Sequence, residues 1–466
     1  MSIATISRTH HRAPAPAPRD HLRPVPALPH AVLAPLPRTV AADLGVPTLH
    51  RTVVDYANFD HAASTPALES VQAAVDAALR TYSSVHRGNG YASKVTSAWY
   101  EQAREQVASF VGAREEDLVV FTRNTTDSLN LLARALPRRT TTFVFESEHH
   151  AALLPWDERR TVRLPVPGSV EDALVLLEEA LAEHARTSDG PRLVVVTGAS
   201  NVTGELWPVE RFTEVARRYA ARVALDAAQL APHRRIDVGA LDVDYVAFSG
   251  HKLYAPFGAG VLVGRADWLD AAAPYLRGGG ATARVSEREV QWSQGSARHE
   301  AGSPNVIGAI ALAAACATVE AHRDAIEAHE SALAQRLQAG LAAIEGVSTW
   351  SVFGEGHDRV GVVTFTVDGV DSSLVSASLS AEHGVGVRDG KFCAHLLVDA
   401  LLDGPGAPAT AVRASVGLAS TVEHVDRLVS AVSRLAEHGP AFDYELTDAG
   451  WEPVDDPRDL SLPRPW

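Results

Sequence analysis

Cysteine is nearly absent from this chain, with Cys316 and Cys393 its only two. That excludes a disulfide framework and fits a reducing cytosol. Excess basic charge is missing as well: 42 Lys and Arg stand against 57 Asp and Glu, a formal net charge of −15. Nucleic acid or an anionic membrane as main partner usually needs a basic face, so neither is expected; a small anion in a local basic pocket is not excluded. No apolar run approaches the ~18–20 residues of a membrane-spanning helix. The first residues also lack the continuous apolar core of a secretory signal, and a cytoplasmic location is expected.

The 466 residues are 46% hydrophobic and 21% charged, an ordinary globular composition with apolar area for two or three domains. Residues 1–50 hold nine of the 27 prolines, in phrases such as APAPAPR and RPVPALP. They read as an extended or disordered arm. From Val54 the texture changes, and FDHAASTPALESVQAAVDAALRTY reads as a short strand, a turn and a helix opened by Thr65-Pro66.

Apolar runs at 118–122, 192–199, 222–228, 243–250 and 258–264 then alternate with helical patterns. This predicts an α/β fold whose mostly parallel sheet is covered on both faces, with ligands collecting at the carboxyl ends of its strands. After GSPN at 302–305 a long Ala-rich helical stretch follows. VGVVTFTV, SSLVSASLSAEH, VRASVGL and VEHVDRLVSAVSRLAEH then read as strand, helix, strand and helix. The expected organisation is a large domain over 51–305, a small C-terminal α+β domain over 306–440 and a polar tail over 441–466.

Lys252 directly follows the run VDYVAFSG, where its amine can form a Schiff base with an aldehyde cofactor. Asp226 ends the preceding run; it serves either as a helix cap or as the carboxylate that keeps a pyridine nitrogen protonated. Gln229 is a candidate donor to a phenolic oxygen. The turn Asn124-Thr125-Thr126 offers hydroxyls and amides at a helix N-terminus, as a phosphate site or a plain capping turn, and Ser249 and His251 flank the lysine. Together these residue types point to pyridoxal 5′-phosphate (PLP).

Ten phrases carry a wider resemblance: FDHAASTP, VHRG, FTRNTT, EHHAALLPW, SNVTGELWP, DAAQ, SGHKLYAPFGAGVL, HEAGSPN, GVGVRDGKFCA and VRASVGL. Together they resemble, in order, the class V aminotransferase family of fold-type I PLP enzymes, in its cysteine desulfurase and selenocysteine lyase branch. The resemblance implies a large domain with a mostly parallel seven-stranded sheet and a smaller α+β C-terminal domain. It implies Lys252 as the Schiff-base lysine, Asp226 as pyridinium partner, Gln229 as phenolate partner and His149 stacked on the ring. Asn201 and Ala62 would lie beside the substrate. Thr125, Thr126, Ser249 and His251 would bind phosphate, joined by Ser303 from the second subunit of a homodimer. Arg413 would clamp an α-carboxylate with its planar fork.

Cys393 would be the mobile-loop cysteine that takes sulfur from the substrate as a persulfide, giving alanine, with a sulfur-acceptor protein as a possible partner. Cys316 reads as core. Lys391 and Phe392 stand where desulfurases often carry two histidines, and Lys391 is a candidate for lowering the thiol pKa. The stretch from Cys393 to Arg413 is long, and Ala255 and Phe257 replace smaller or polar residues after the lysine. Alternatives are a PLP-dependent C–S β-lyase, aminotransferase or epimerase without Cys393 chemistry, and a non-catalytic sulfur-transfer scaffold.

Overall fold

The apolar runs become one seven-stranded sheet in the computed structural model, which describes residues 35–40, 42–86, 88–404, 406–461 and 464–466. Residues 1–34 of the proline-rich arm lie outside the described residues. The strand order is Asp117–Thr122, Gly260–Arg265, Tyr245–Ser249, Ala221–Asp226, Arg192–Thr197, Thr141–Phe145, Thr161–Leu164. Gly260–Arg265 runs antiparallel to both neighbours, and the pairings from Tyr245–Ser249 to Thr161–Leu164 are parallel. Thr122, Thr197, Asp226 and Ser249 therefore end on one edge of the sheet.

Alternate residues of each strand enter separate cores, as the pleat requires. Val194, Val196, Leu225 and Phe248 pack with Leu177, Phe212 and Leu312 on one face. Leu193, Val195, Ala224 and Ala247 pack with Leu129, Leu132 and Trp156 on the other. Gly260 has to be glycine, since a Cβ there would lie 2.4 Å from Asn124 Cα. Its bare backbone lets the Asn124 turn settle against the sheet edge.

The second sheet is antiparallel, in the order Val347–Trp350, Val362–Val367, Ala411–Ser415, Arg388–Gly390. Its core holds Phe365, Leu379, Val412, Leu428 and Val432. Phe59 and Ala57, from the early chain, join that core, and Ser415 N–H donates to Phe59 O at 2.7 Å.

Four elements differ from expectation. The Ala-rich stretch is two helices, Val306–Ala321 and Arg323–Ala342, meeting at 78°. His322 leaves helical geometry between them and its Nδ1 lies 2.9 Å from Thr318 O, while buried Arg323 turns inward to donate to Ala231 O at 3.2 Å. The first helix begins at Glu69 rather than after Thr65-Pro66, because Thr65 Oγ1 accepts from Tyr254 N–H and donates to His251 O. Residues 45–47 and 53–55 form a strand pair, and Leu49 is buried, so the stretch from 35 onward packs on the protein. The polar tail holds a hairpin, Tyr444–Thr447 with Gly450–Pro453, tied to Glu382 by Tyr444 Oη and Ala441 N–H. Among the described residues no single helix is long and apolar enough to cross a membrane.

Candidate active site

The strand ends open on a cavity of about 290 Å³. Ala62, Thr125, Thr126, His149, Asn201, Asp226, Gln229, Ser249, His251, Lys252, Cys393 and Arg413 all line it. Ser303 does not. It is exposed and lines a separate cavity with His86, Arg104 and Glu300.

At the inner end, Asp226 Oδ1 accepts Ala228 N–H at 2.9 Å. Burial raises its pKa, opposed by that amide and by Lys252. Lys252 ends the short turn Gly250–Lys252 after its strand. Burial of the amine end holds it down to about 8, with Asp226 opposing that shift; a useful share is therefore free amine near neutral pH, as nucleophile or base. Gln229 Nε2 donates to Ala62 O at 2.6 Å, and Ala62 N–H donates to Ser415 Oγ at 2.9 Å. The His149 ring accepts Ala151 N–H at Nδ1, 3.0 Å away, which leaves its proton on Nε2. Burial, with Lys252 nearby, pushes His149 down to about 3, so it stays a neutral donor.

Asn124 caps the helix Thr125–Ala135, its Oδ1 accepting Asp127 N–H at 2.9 Å. Thr125 N–H and Oγ1 both meet Ser249 Oγ at 2.7 Å. A helix N-terminus, two hydroxyls and His251 thus converge where an anion is favoured. An acid and a lysine face that anion site across one cavity, which is the donor set PLP requires: phosphate ligands, a carboxylate for the ring nitrogen and an amine for the aldehyde. The residues fit the cofactor.

At the outer end, Arg413 is 2% exposed. Its Nη1 donates to Asn201 O at 2.9 Å and its Nη2 to Asp60 Oδ1 at 3.2 Å; buried Nε has no protein partner. Burial lowers its pKa to about 10, with Asp60 opposing. Cys393 is exposed and lines the same cavity as Lys252, Arg388 and Arg413. Phe392 and Cys393 both take positive φ, 52° and 56°, a strained conformation for such residues.

Three ties hold that turn. Asn201 Nδ2 donates to Phe392 O at 2.8 Å, His150 N–H donates to Cys393 O at 2.8 Å, and the Phe392 ring packs among Val202, Leu397, Val398 and Ala411. The following stretch folds as the helix His395–Leu401. Lys391, expected beside the thiol, pairs instead with Asp399 at 2.5 Å.

Sequence reasoning passed over Arg388, which lines the cavity, and Asp60, which pairs with it at 2.9 Å. It also missed Glu148. That residue is 1% exposed, accepts Thr197 N–H at 2.8 Å and leaves its other oxygen unpartnered. Burial and the charge of Asp226 raise its pKa well above the usual carboxylate value. Its only sequence signal was its place before His149.

A profile of the class-V aminotransferase family matches residues 57–428. A probable cysteine desulfurase of Vibrio cholerae is 34% identical over 394 residues, 81% of this chain and 93% of that protein. A cysteine desulfurase of Dickeya dadantii is 37% identical over 376 residues, 77% of this chain and 86% of that one. An apo cysteine desulfurase structure from Thermococcus onnurineus superposes with a TM-score of 0.73 at 33% identity, covering 82% of this chain and 95% of the other. With the lysine, acid and anion turn of a PLP enzyme on a matching fold, the chain belongs to the class-V aminotransferase family of PLP-dependent enzymes.

Proposed function

We propose that the protein is a cysteine desulfurase, removing sulfur or selenium from an amino acid such as L-cysteine and giving alanine. The observation that carries this is the convergence of Lys252, Asp226, Arg413 and Cys393 on one cavity; the similarity to cysteine desulfurases supports it. Bound PLP supplies an electron sink for charge at the substrate α-carbon.

The chain's residues do the rest. Thr125, Thr126, Ser249 and His251 hold the phosphate, Asp226 the ring nitrogen, Gln229 the phenolic oxygen and the His149 imidazole a ring face. Arg413 takes the α-carboxylate, with Asn201 and Ala62 beside the substrate, and Lys252 Nζ moves protons at the substrate carbons. Cys393 Sγ, as thiolate, bonds to the substrate sulfur; the carbon–sulfur bond breaks with its electron pair left on carbon, which takes a proton. Alanine leaves and the sulfur stays as a persulfide for an acceptor, which would be a protein.

In this reading residues 51–305 and 306–440 act as two domains. Two copies form a homodimer in which Ser303 reaches the partner's phosphate, and a cytoplasmic location suits the unpaired Cys393. The test is a panel of sulfur and selenium amino acids with product identification. Alanine from L-cysteine is expected, whereas pyruvate with ammonia would assign a β-lyase and a keto-acid requirement an aminotransferase.

A further inference from the structure

Glu205 is fully buried on the loop that follows the strand Arg192–Thr197, and it does not line the cavity. Its carboxylate takes two successive amides: Oε2 accepts Val352 N–H at 2.8 Å and Oε1 accepts Phe353 N–H at 2.7 Å. Two neighbouring donors need two acceptor oxygens, which a carboxylate offers and an amide side chain does not. Its charge strengthens both bonds. The two loops are also joined through backbone, Val360 N–H donating to Gly204 O at 2.8 Å and Leu206 N–H to Asp358 O at 2.9 Å. Gly204, at a φ of 74°, lets them close, since a Cβ there would lie 2.7 Å from Val362 O.

This clasp meets the Cys393 turn from two sides. Glu205 O accepts Ser200 N–H at 2.9 Å and closes the turn from which Asn201 Nδ2 holds Phe392 O. Val352 packs against the apolar cluster that seats the Phe392 ring. Cys393 follows Phe392 in the chain, so a shift of that ring carries the thiol with it.

We infer that Glu205 is a positioning residue for sulfur transfer: by holding Val352 against the Phe392 cluster, it fixes the reach of Cys393 Sγ to the substrate sulfur. The role rests on the persulfide reading proposed above. Misplacing a reacting group by about 1 Å can slow a reaction about 100-fold. The bonds that close the Asn201 turn come from backbone and survive substitution of the side chain, as does the bond from Arg413 Nη1 to Asn201 O. Loss of the carboxylate therefore slows attack on sulfur and spares amino-acid binding.

The experiment compares wild type, Glu205→Gln, Val352→Ala and the double variant as holoenzymes. Titration with L-alanine, followed by cofactor absorbance, reads binding; a single turnover with L-cysteine, followed by mass spectrometry, reads sulfur on Cys393. Glu205→Gln is expected to bind L-alanine within about twofold of wild type and to load sulfur about tenfold more slowly or worse. Val352→Ala slows the same step, and the double variant falls no further than the slower single one, because both act through one contact.

Sulfur loading by Glu205→Gln within about twofold of wild type, or a matching loss of L-alanine binding, overturns the role. So does a double variant slowed by the product of the single effects. If Glu205→Gln does not fold, Val352→Ala, which keeps both carboxylate bonds, decides by the first two criteria. Wild type that loads no sulfur onto Cys393 overturns the persulfide reading, and the role of Glu205 with it.

Discussion

Lys252 shows how burial becomes chemistry. Its amine is charged in water, yet desolvation inside the cavity holds it down to about 8 despite Asp226. Protonated amine does not attack an aldehyde, so PLP uptake by the apoenzyme should speed up about tenfold per pH unit below pH 8 and level off above it. A stopped-flow absorbance series from pH 6 to 10 measures this; a rise continuing to pH 10 would mean an ordinary, solvated lysine. The neighbouring histidine works in the opposite sense, since His149 at about 3 stays uncharged throughout that range. It contributes an N–H donor and a flat face, with no titration of its own to complicate the profile.

The element that most distinguishes this site is the turn of Phe392 and Cys393. Two consecutive non-glycine residues at positive φ cost about 1–3 kcal/mol each. The buried Phe392 ring and the two carbonyl hydrogen bonds offset that strain. The ring also lies 5.1 Å from the Arg413 guanidinium. Phe392→Ala should therefore cost about 3 kcal/mol of stability, and release Cys393 from its place. Alanine formation should fall well beyond the loss of PLP affinity. Equal losses in both would show that the ring serves only packing.

Short elements of this kind were the least legible in the sequence. Lys252, Asp226 and the Thr125-Thr126 turn were readable because each sits at the end of an apolar strand, where local pattern and position coincide. The site contacts of Arg388 and Asp60 were not. They are 328 residues apart and meet only through the register of a three-residue strand. The break at His322 was hidden for the converse reason, that alanine-rich helical pattern runs unbroken across it.

At the scale of the whole molecule, the fold keeps a second buried group that reports on acid stability. His61 is 3% exposed with neither ring nitrogen bonded, and burial holds it down to about 4, with Glu330 and Asp60 opposing that shift. Unfolding restores a pKa near 6.5. The folded pKa is the lower one, so the unfolded chain binds more protons between pH 6.5 and 4. The His61 contribution to stability is full above about pH 6.5 and is lost, by about 3 kcal/mol, as pH drops to 4. His61→Gln should flatten that decline in Tm against pH, and an unchanged slope would place the acid sensitivity elsewhere.

The strand ends of the whole fold deliver one substrate between Lys252 and Cys393, and a single substitution tests this. Cys393→Ala holoenzyme is incubated with L-cysteine and compared with wild type for alanine released and for sulfur on the protein, by mass spectrometry. The predicted result is a wild-type mass increase of one sulfur on Cys393, and in the variant loss of both that increase and alanine formation with an unchanged cofactor absorbance. Undiminished alanine formation by Cys393→Ala would rule out sulfur transfer to Cys393 as the route to alanine.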